Sequence, residues 1–299
     1  NGLSEFDIVC ANCISDTITF SQPAPYKIYN RKGVKIGFVG VITNYDHNNH
    51  PAGKDESFVG LTFPDPQQVA AEQADKLREK CDVLVLLSHM GDDMDFRLVE
   101  KCDDYDMILC GHTHNLVDTL VGRTMLGQSG NNCKRVGATR IVMKGRKIKS
   151  IEYDVIPLAD YEPDTFYAEW VERLYDNEVL SAPLGESQEL LHRVGLAAWE
   201  VDVMKRATGV DIAIYHRGGI RLDPMPSKQI STADVYSLEP FSSTIYTMTM
   251  TPEQLRRMII AKYNDTDNPK ESHRLDIFAS VPYTIFVDER GEAVDVKFE

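Results

Sequence analysis

Apolar positions in the first half of the chain fall into short, unbroken runs separated by polar stretches of helix length. Val83-Leu84-Val85-Leu86-Leu87 and Met107-Ile108-Leu109-Cys110 are the clearest, and runs of that length and composition read as parallel strands buried on both faces. Further strands are predicted near Ile8–Cys10, Tyr26–Tyr29, Val34–Ile42 and Thr124–Leu126, with a hairpin joining 138–143 to 148–156 through Lys144-Gly145-Arg146. Between them Asp65-Pro66 opens a helix whose apolar residues Ala70, Ala74, Leu77 and Cys81 recur at i, i+4, i+7 and i+11. Residues 1–158 therefore read as an α/β domain.

The pattern changes after Pro157. Pro163-Asp164 starts a helix carrying Phe166, Trp170 and Leu174 on one face, which is expected to pack on a domain surface. It leads to Ser181-Ala182-Pro183-Leu184-Gly185, so 159–183 reads as a linker. Residues 184–299 form a second, mixed domain. A helix is expected over Leu196–Ala207 with Gly209 as its stop, then a strand over Val210–Tyr215. Thr251-Pro252-Glu253-Gln254 is a capping box with proline at the first helical position, starting a helix to about Tyr263. Ile277–Ala279, Tyr283–Val287 and Ala293–Phe298 complete the chain as a meander.

Composition narrows the function classes. A length of 299 residues with 42% hydrophobic content suits two packed cores, and no apolar stretch approaches the roughly 18 residues that a membrane span needs. The net charge of −14 argues against a nucleic-acid partner, which clustered Lys and Arg would attract. All six cysteines precede residue 134. Cys10-x-x-Cys13 has no second such pair beside it and sits in an apolar strand, so the thiols read as packing residues, which favours a reducing compartment. Nothing in the pattern indicates an oligomeric state.

Two histidine-bearing turns carry the chemistry of the first domain. Ser88-His89-Met90-Gly91 and Cys110-Gly111-His112-Thr113-His114-Asn115 each follow one of the two apolar runs. Parallel neighbours end on the same side of a sheet, where open α/β sheets bind ligands. Three neutral imidazoles at one edge suggest a metal. In an extended chain His112 and His114 would point to one face, about 6–7 Å apart. Gly111 suits a backbone of unusual φ or one that approaches a ligand closely.

In the second domain Tyr215-His216-Arg217-Gly218-Gly219-Ile220-Arg221 follows a predicted strand. Two glycines would let the backbone approach an anion, and Arg217 and Arg221 can each present a planar fork to phosphate. By itself the segment also reads as an ordinary surface loop.

The two histidine turns, about twenty residues apart, resemble the last two metal-binding motifs of the calcineurin-like metallophosphoesterases, and the sequence downstream of them is most similar to the 5′-nucleotidase branch. The resemblance implies a metallophosphoesterase-type αββα sandwich portion followed by a mixed α/β 5′-nucleotidase C-terminal domain. It implies two divalent ions, zinc or manganese, with His89 and His112 on one and His114 on the other. Gly-Gly-Ile-Arg followed by Glu239-Pro240-Phe241 is similar to that family's substrate-binding domain. This implies that Arg221 contacts phosphate and Phe241 stacks on a base, with Arg193 near a further phosphate-binding position. The implied activity is hydrolysis of phosphate monoesters, nucleoside 5′-monophosphates foremost, and the implied compartment is extracytoplasmic.

The departures are specific. The family's Asp-x-His, Gly-Asp and Gly-Asn-His-Glu metal turns do not occur ahead of the two histidine turns here, His216 stands where the family has Asn, and the chain stops before the second stacking Phe. A chain that begins at Asn1-Gly2-Leu3 therefore reads as one missing the N-terminal portion of such an enzyme, inactive alone. Two other readings stay open: a single-zinc hydrolase with three histidines, and a degenerate member that binds metal or nucleotide without turnover.

Overall fold

The two strands that lead into the histidine turns lie side by side at the centre of a six-stranded sheet. The computed structural model describes residues 6–16, 22–44, 49–53, 55–225, 228–264 and 277–299; the Asn1-Gly2-Leu3 start lies outside them. The described residues cluster into two compact units, 1–162 and 163–299.

In chain order the first unit contains β1 (Ile14–Ser15), β2 (Tyr26–Arg31), β3 (Val34–Ile42), β4 (Leu61–Thr62), α1 (Pro66–Leu77), β5 (Val83–His89) and α2 (Asp92–Val99). It continues with β6 (Met107–Leu109), β7 (Leu116–Val121), β8 (Thr124–Ser129), β9 (Arg135–Lys144) and β10 (Lys147–Pro157). The large sheet has the order β2-β3-β5-β6-β8-β7. Its four inner strands are parallel, and β2 and β7 close the edges antiparallel. β7, which turns back on β8, is an element the periodicity does not predict. The strand predicted around Ile8–Cys10 is reduced to an isolated bridge from Val9 to Ala24.

Both faces of the sheet are covered, which is why the strand runs are apolar without alternation. Leu84, Leu86, Ile108 and Leu126 pack toward Ala70, Ala74 and Leu77 of α1 and Leu98 of α2. Val83, Val85, Met107 and Met125 pack against Tyr153 from the β9–β10 hairpin. Gly127 and Gly137 leave the room that ring fills, since a Cβ at either would overlap it. The start of β6 is pinned by buried Asp106, which accepts from the Leu84 N–H (2.8 Å), Arg78 (2.8 Å) and Arg123 (2.6 Å), bonds strengthened by charge on both sides of the arginine pairs.

The second unit contains α3 (Thr165–Tyr175), β11 (Pro183–Ser187), α4 (Arg193–Thr208), β12 (Ile214–His216), β13 (Lys228–Ser231), α5 (Thr232–Leu238), α6 (Pro252–Asn264), β14 (Ile277–Ala279), β15 (Tyr283–Val287) and β16 (Ala293–Phe298). Asp164 caps α3 by accepting from the Phe166 and Tyr167 N–H groups. No residue of α3 is buried, and Trp170 keeps half its surface exposed, so the expected packing of that helix is not observed. The expected linker runs into β11, which pairs with β13. Gly209 stops α4 in the left-handed region (φ 71°), and the Thr251–Gln254 capping box forms in both directions. The closing segments are not a meander. β14 pairs with β12, while β15 and β16 form a separate hairpin. The Ala213 N–H donates to Ser280 Oγ and the Ser280 N–H to Ala213 O, so the chain is stitched to β12 before β15 begins. β12 itself starts at Ile214, later than the predicted strand.

Candidate functional site

β5 ends on His89, and its parallel neighbour β6 ends just before Cys110-Gly111-His112, so all three histidines stand at one sheet edge. The neighbouring strand contributes as well, the Thr43 N–H donating to the His89 carbonyl at 3.1 Å. The His89 and His112 rings meet edge to face with centroids 5.2 Å apart. Bonds of about 2.0–2.1 Å from imidazole nitrogen to a divalent ion put each ring centroid roughly 3.2 Å from it, so two rings sharing an ion stand about 4.5–5.3 Å apart. The donor chemistry and spacing of this pair fit an ion. His114, exposed at the end of the turn, does not complete a group with them: among the described residues no three His, Cys, Asp or Glu side chains converge to hold a metal.

The turn is not extended as the His-x-His spacing predicts. His112 and His114 have φ of 82° and 64°, a region non-glycine residues seldom adopt. Gly111 serves a close approach, not an unusual φ. A Cβ there would stand 3.0 Å from His89 Nδ1 and from Ser88 O, so the residue is small because the first histidine packs against its backbone. Burial and the Asp95 carboxylate push the Cys110 thiol well above its usual range. It stays protonated and is no nucleophile.

Side chains invisible to the motif reading surround this turn. Asp92, first residue of α2, accepts from Thr113 Oγ1 and from Asn115 Nδ2 at 3.1 and 3.2 Å. Gln128 of β8, 3% exposed, donates to Thr113 Oγ1 at 3.1 Å and to the Asn115 carbonyl at 2.9 Å. Their only sequence signal is position: Asp92 follows the first histidine turn directly, and Thr113 and Asn115 alternate with the histidines of the second.

In the second unit β12 delivers Arg217-Gly218-Gly219 as a single tight turn. Gly219 is buried under Tyr215, and a Cβ would overlap that ring. The Arg221 N–H donates to Leu238 O at 2.8 Å, tying the turn to the end of α5, from which Glu239-Pro240-Phe241 continues. The guanidinium of Arg221 consequently stands 5.6 Å from the centroid of the Phe241 ring, within cation–π range. Arg193, at the first position of α4, is held elsewhere: its N–H donates to Asp223 Oδ1 (3.2 Å) and its Nε lies 3.7 Å from Oδ2. Behind the turn, burial and the neighbouring Glu239 push the Glu200 carboxyl up to about 7. Burial, then Glu200 and Glu239, push the Tyr215 hydroxyl up to about 12.

A family model described as the 5′-nucleotidase C-terminal domain matches residues 177–294. The endonuclease YhcR of Bacillus subtilis (strain 168) is 25% identical over 320 residues, an alignment covering 98% of this chain and 25% of that protein. The fold is that of a 5′-nucleotidase precursor from Thermus thermophilus (TM-score 0.78, 19% identity, 98% of this chain and 64% of that one). It is shared with a Thermus sulfate thiohydrolase, SoxB (TM-score 0.81, 20% identity, 99% and 58%). The chain thus spans a quarter of the endonuclease and less than two thirds of either solved structure.

Proposed function

Because the chain belongs to the 5′-nucleotidase family, we propose that the whole protein containing it hydrolyses phosphate monoesters, nucleoside 5′-monophosphates foremost, to nucleoside and phosphate. One observation carries the nucleotide reading. Arg221 and Phe241 are brought together with the ring half exposed, so a phosphate-binding fork and a stacking surface share one loop cluster.

His89 and His112 hold one divalent ion and His114 a second, zinc or manganese. When bound, such ions supply an activated water and neutralise charge on the phosphoryl oxygens. Arg221 orients the phosphate through its two parallel N–H groups, and Arg217 adds a second positive charge from the same turn. Arg193 joins them by leaving part of its contact with Asp223. Phe241 offers its face to the base, where stacking is tolerant of base identity. Residues 1–158 are the metal-binding domain, 159–183 the linker and 184–299 the substrate-binding domain. The compartment is extracytoplasmic, as the name of the Thermus 5′-nucleotidase precursor suggests for that relative.

The test is phosphate release from AMP by the whole protein supplied with Zn²⁺ or Mn²⁺. Release that His89→Ala abolishes is expected. Failure to release phosphate from any nucleoside 5′-monophosphate with either ion sinks the reading.

A further inference from the structure

We propose that Asp92 is a positioning residue for the metal-binding histidines: its carboxylate, held by Thr113 and Asn115, locks the His112-Thr113-His114 turn against the strand end that carries His89. The inference rests on the metal reading above and concerns what gives those ligands their geometry.

Asp92 stands three residues beyond His89, separated from it by buried Met90 and by Gly91, whose φ of 102° turns the chain sharply into α2. That turn places the carboxylate at the helix N-terminus, where the positive end of the helix dipole favours it. From there it accepts three hydrogen bonds, one from Thr113 and two from Asn115. Both donors belong to the second histidine turn and alternate with its histidines. A single side chain at the start of α2, directly after the first histidine turn, thus fastens the second.

The fastening has something to hold. Two histidines with left-handed φ in one four-residue stretch persist only where their surroundings over-determine the backbone. Gln128 completes the restraint from the other side, its amide donating to Thr113 Oγ1 and the Asn115 carbonyl, while the Gly130 N–H donates to the same carbonyl at 3.1 Å. Thr113 is therefore gripped between Asp92 and Gln128, and the residues on either side of it are the imidazoles. These donors take three of the roughly four acceptor positions of the Asp92 carboxylate, and among the described residues it joins no metal-holding group, so its role is to orient the ligands. Outer-shell partners of this kind set ligand direction, and their loss typically weakens metal affinity about 10–100-fold.

The test is a cobalt(II) titration of the 299-residue chain, followed by visible absorption, with melting temperature and amide hydrogen exchange over residues 111–115 measured alongside. Asp92→Ala is expected to raise the cobalt dissociation constant about 10–100-fold and to speed exchange in the turn, with the melting temperature unchanged. Asp92→Asn, which keeps one acceptor oxygen, should fall between. Thr113→Val removes a single hydroxyl and supplies the same comparison if Asp92→Ala does not fold. Cobalt affinity unchanged in Asp92→Ala and Thr113→Val, or lost only in step with melting temperature, overturns the positioning role alone. A wild-type chain that takes up no cobalt, or one whose uptake survives His89→Ala, removes the histidine site and this inference with it.

Discussion

The Arg221 guanidinium stands 5.6 Å from the centroid of the Phe241 ring, because the Arg221 N–H is bonded to Leu238 O at the end of the helix that leads into Phe241. The ring is 53% exposed, so it is not a core residue behind Pro240. Phe241→Ala in the whole protein should therefore leave the melting temperature unchanged. It should cost about 1–3 kcal/mol in AMP turnover, the worth of a base on an aromatic ring, and little with p-nitrophenyl phosphate. Arg221→Ala should weaken both substrates. Equal losses on Phe241→Ala with a lower melting temperature would take the ring out of the binding site.

Metal affinity of the 299-residue chain should follow its ligand chemistry. With imidazole the ligand type supplied, zinc should bind ahead of manganese, in the order set by ligand softness. AMP turnover by the 299-residue chain should be negligible, because among its described residues no three metal-ligating side chains converge. Calorimetry with Zn²⁺, Mn²⁺ and the His89→Ala variant measures this. Tight binding of two ions, or turnover that depends on His89, would contradict it.

Gly219 offers a stability test of the arginine turn. A Cβ there would overlap the Tyr215 ring and hydroxyl, and overpacking of this kind costs about 1–3 kcal/mol. Gly219→Ala should lower the urea midpoint of the second unit. Gly209→Asn, at a left-handed helix stop with open space around it, should change it far less. Similar midpoints for the two variants would mean that the packing beneath the turn is loose.

Stability of the second unit should also depend on pH. Glu200 is pushed up to about 7 by burial and by Glu239, with Oε2 buried and unpartnered among the described residues. The folded state therefore binds its proton more tightly than the unfolded chain does, and this contribution is present at acid pH and is lost as pH rises through about 7. Because solvent reaches a half-buried carboxyl, the loss is discounted to about 1 kcal/mol between roughly pH 5 and 8. Glu200→Gln should flatten that slope and raise the melting temperature at about pH 8. A slope unchanged by the substitution would locate the dependence elsewhere.

Much of this architecture is local and can be read directly from residue order. Unbroken apolar runs of strand length call for cover on both faces, and Asp65-Pro66, Asp164 and Thr251-Pro252 bring their own hydrogen bonds to the helix starts they mark. The histidine turns are legible for the same reason, since parallel neighbours must end at one edge. Contacts across the chain are not. Pairing of β14 with β12, the seat of Tyr153 between Gly127 and Gly137, and the hold of Asp92 on Thr113 join residues whose separation carries no periodic signal. Spacing places His112 and His114 on one extended face, yet the tertiary restraints bend that turn into left-handed backbone. The rule of alternation applies where a sheet pairs the strand, and the last bond from this strand to β8, from the Cys110 N–H to Gly127 O, falls before the histidines begin.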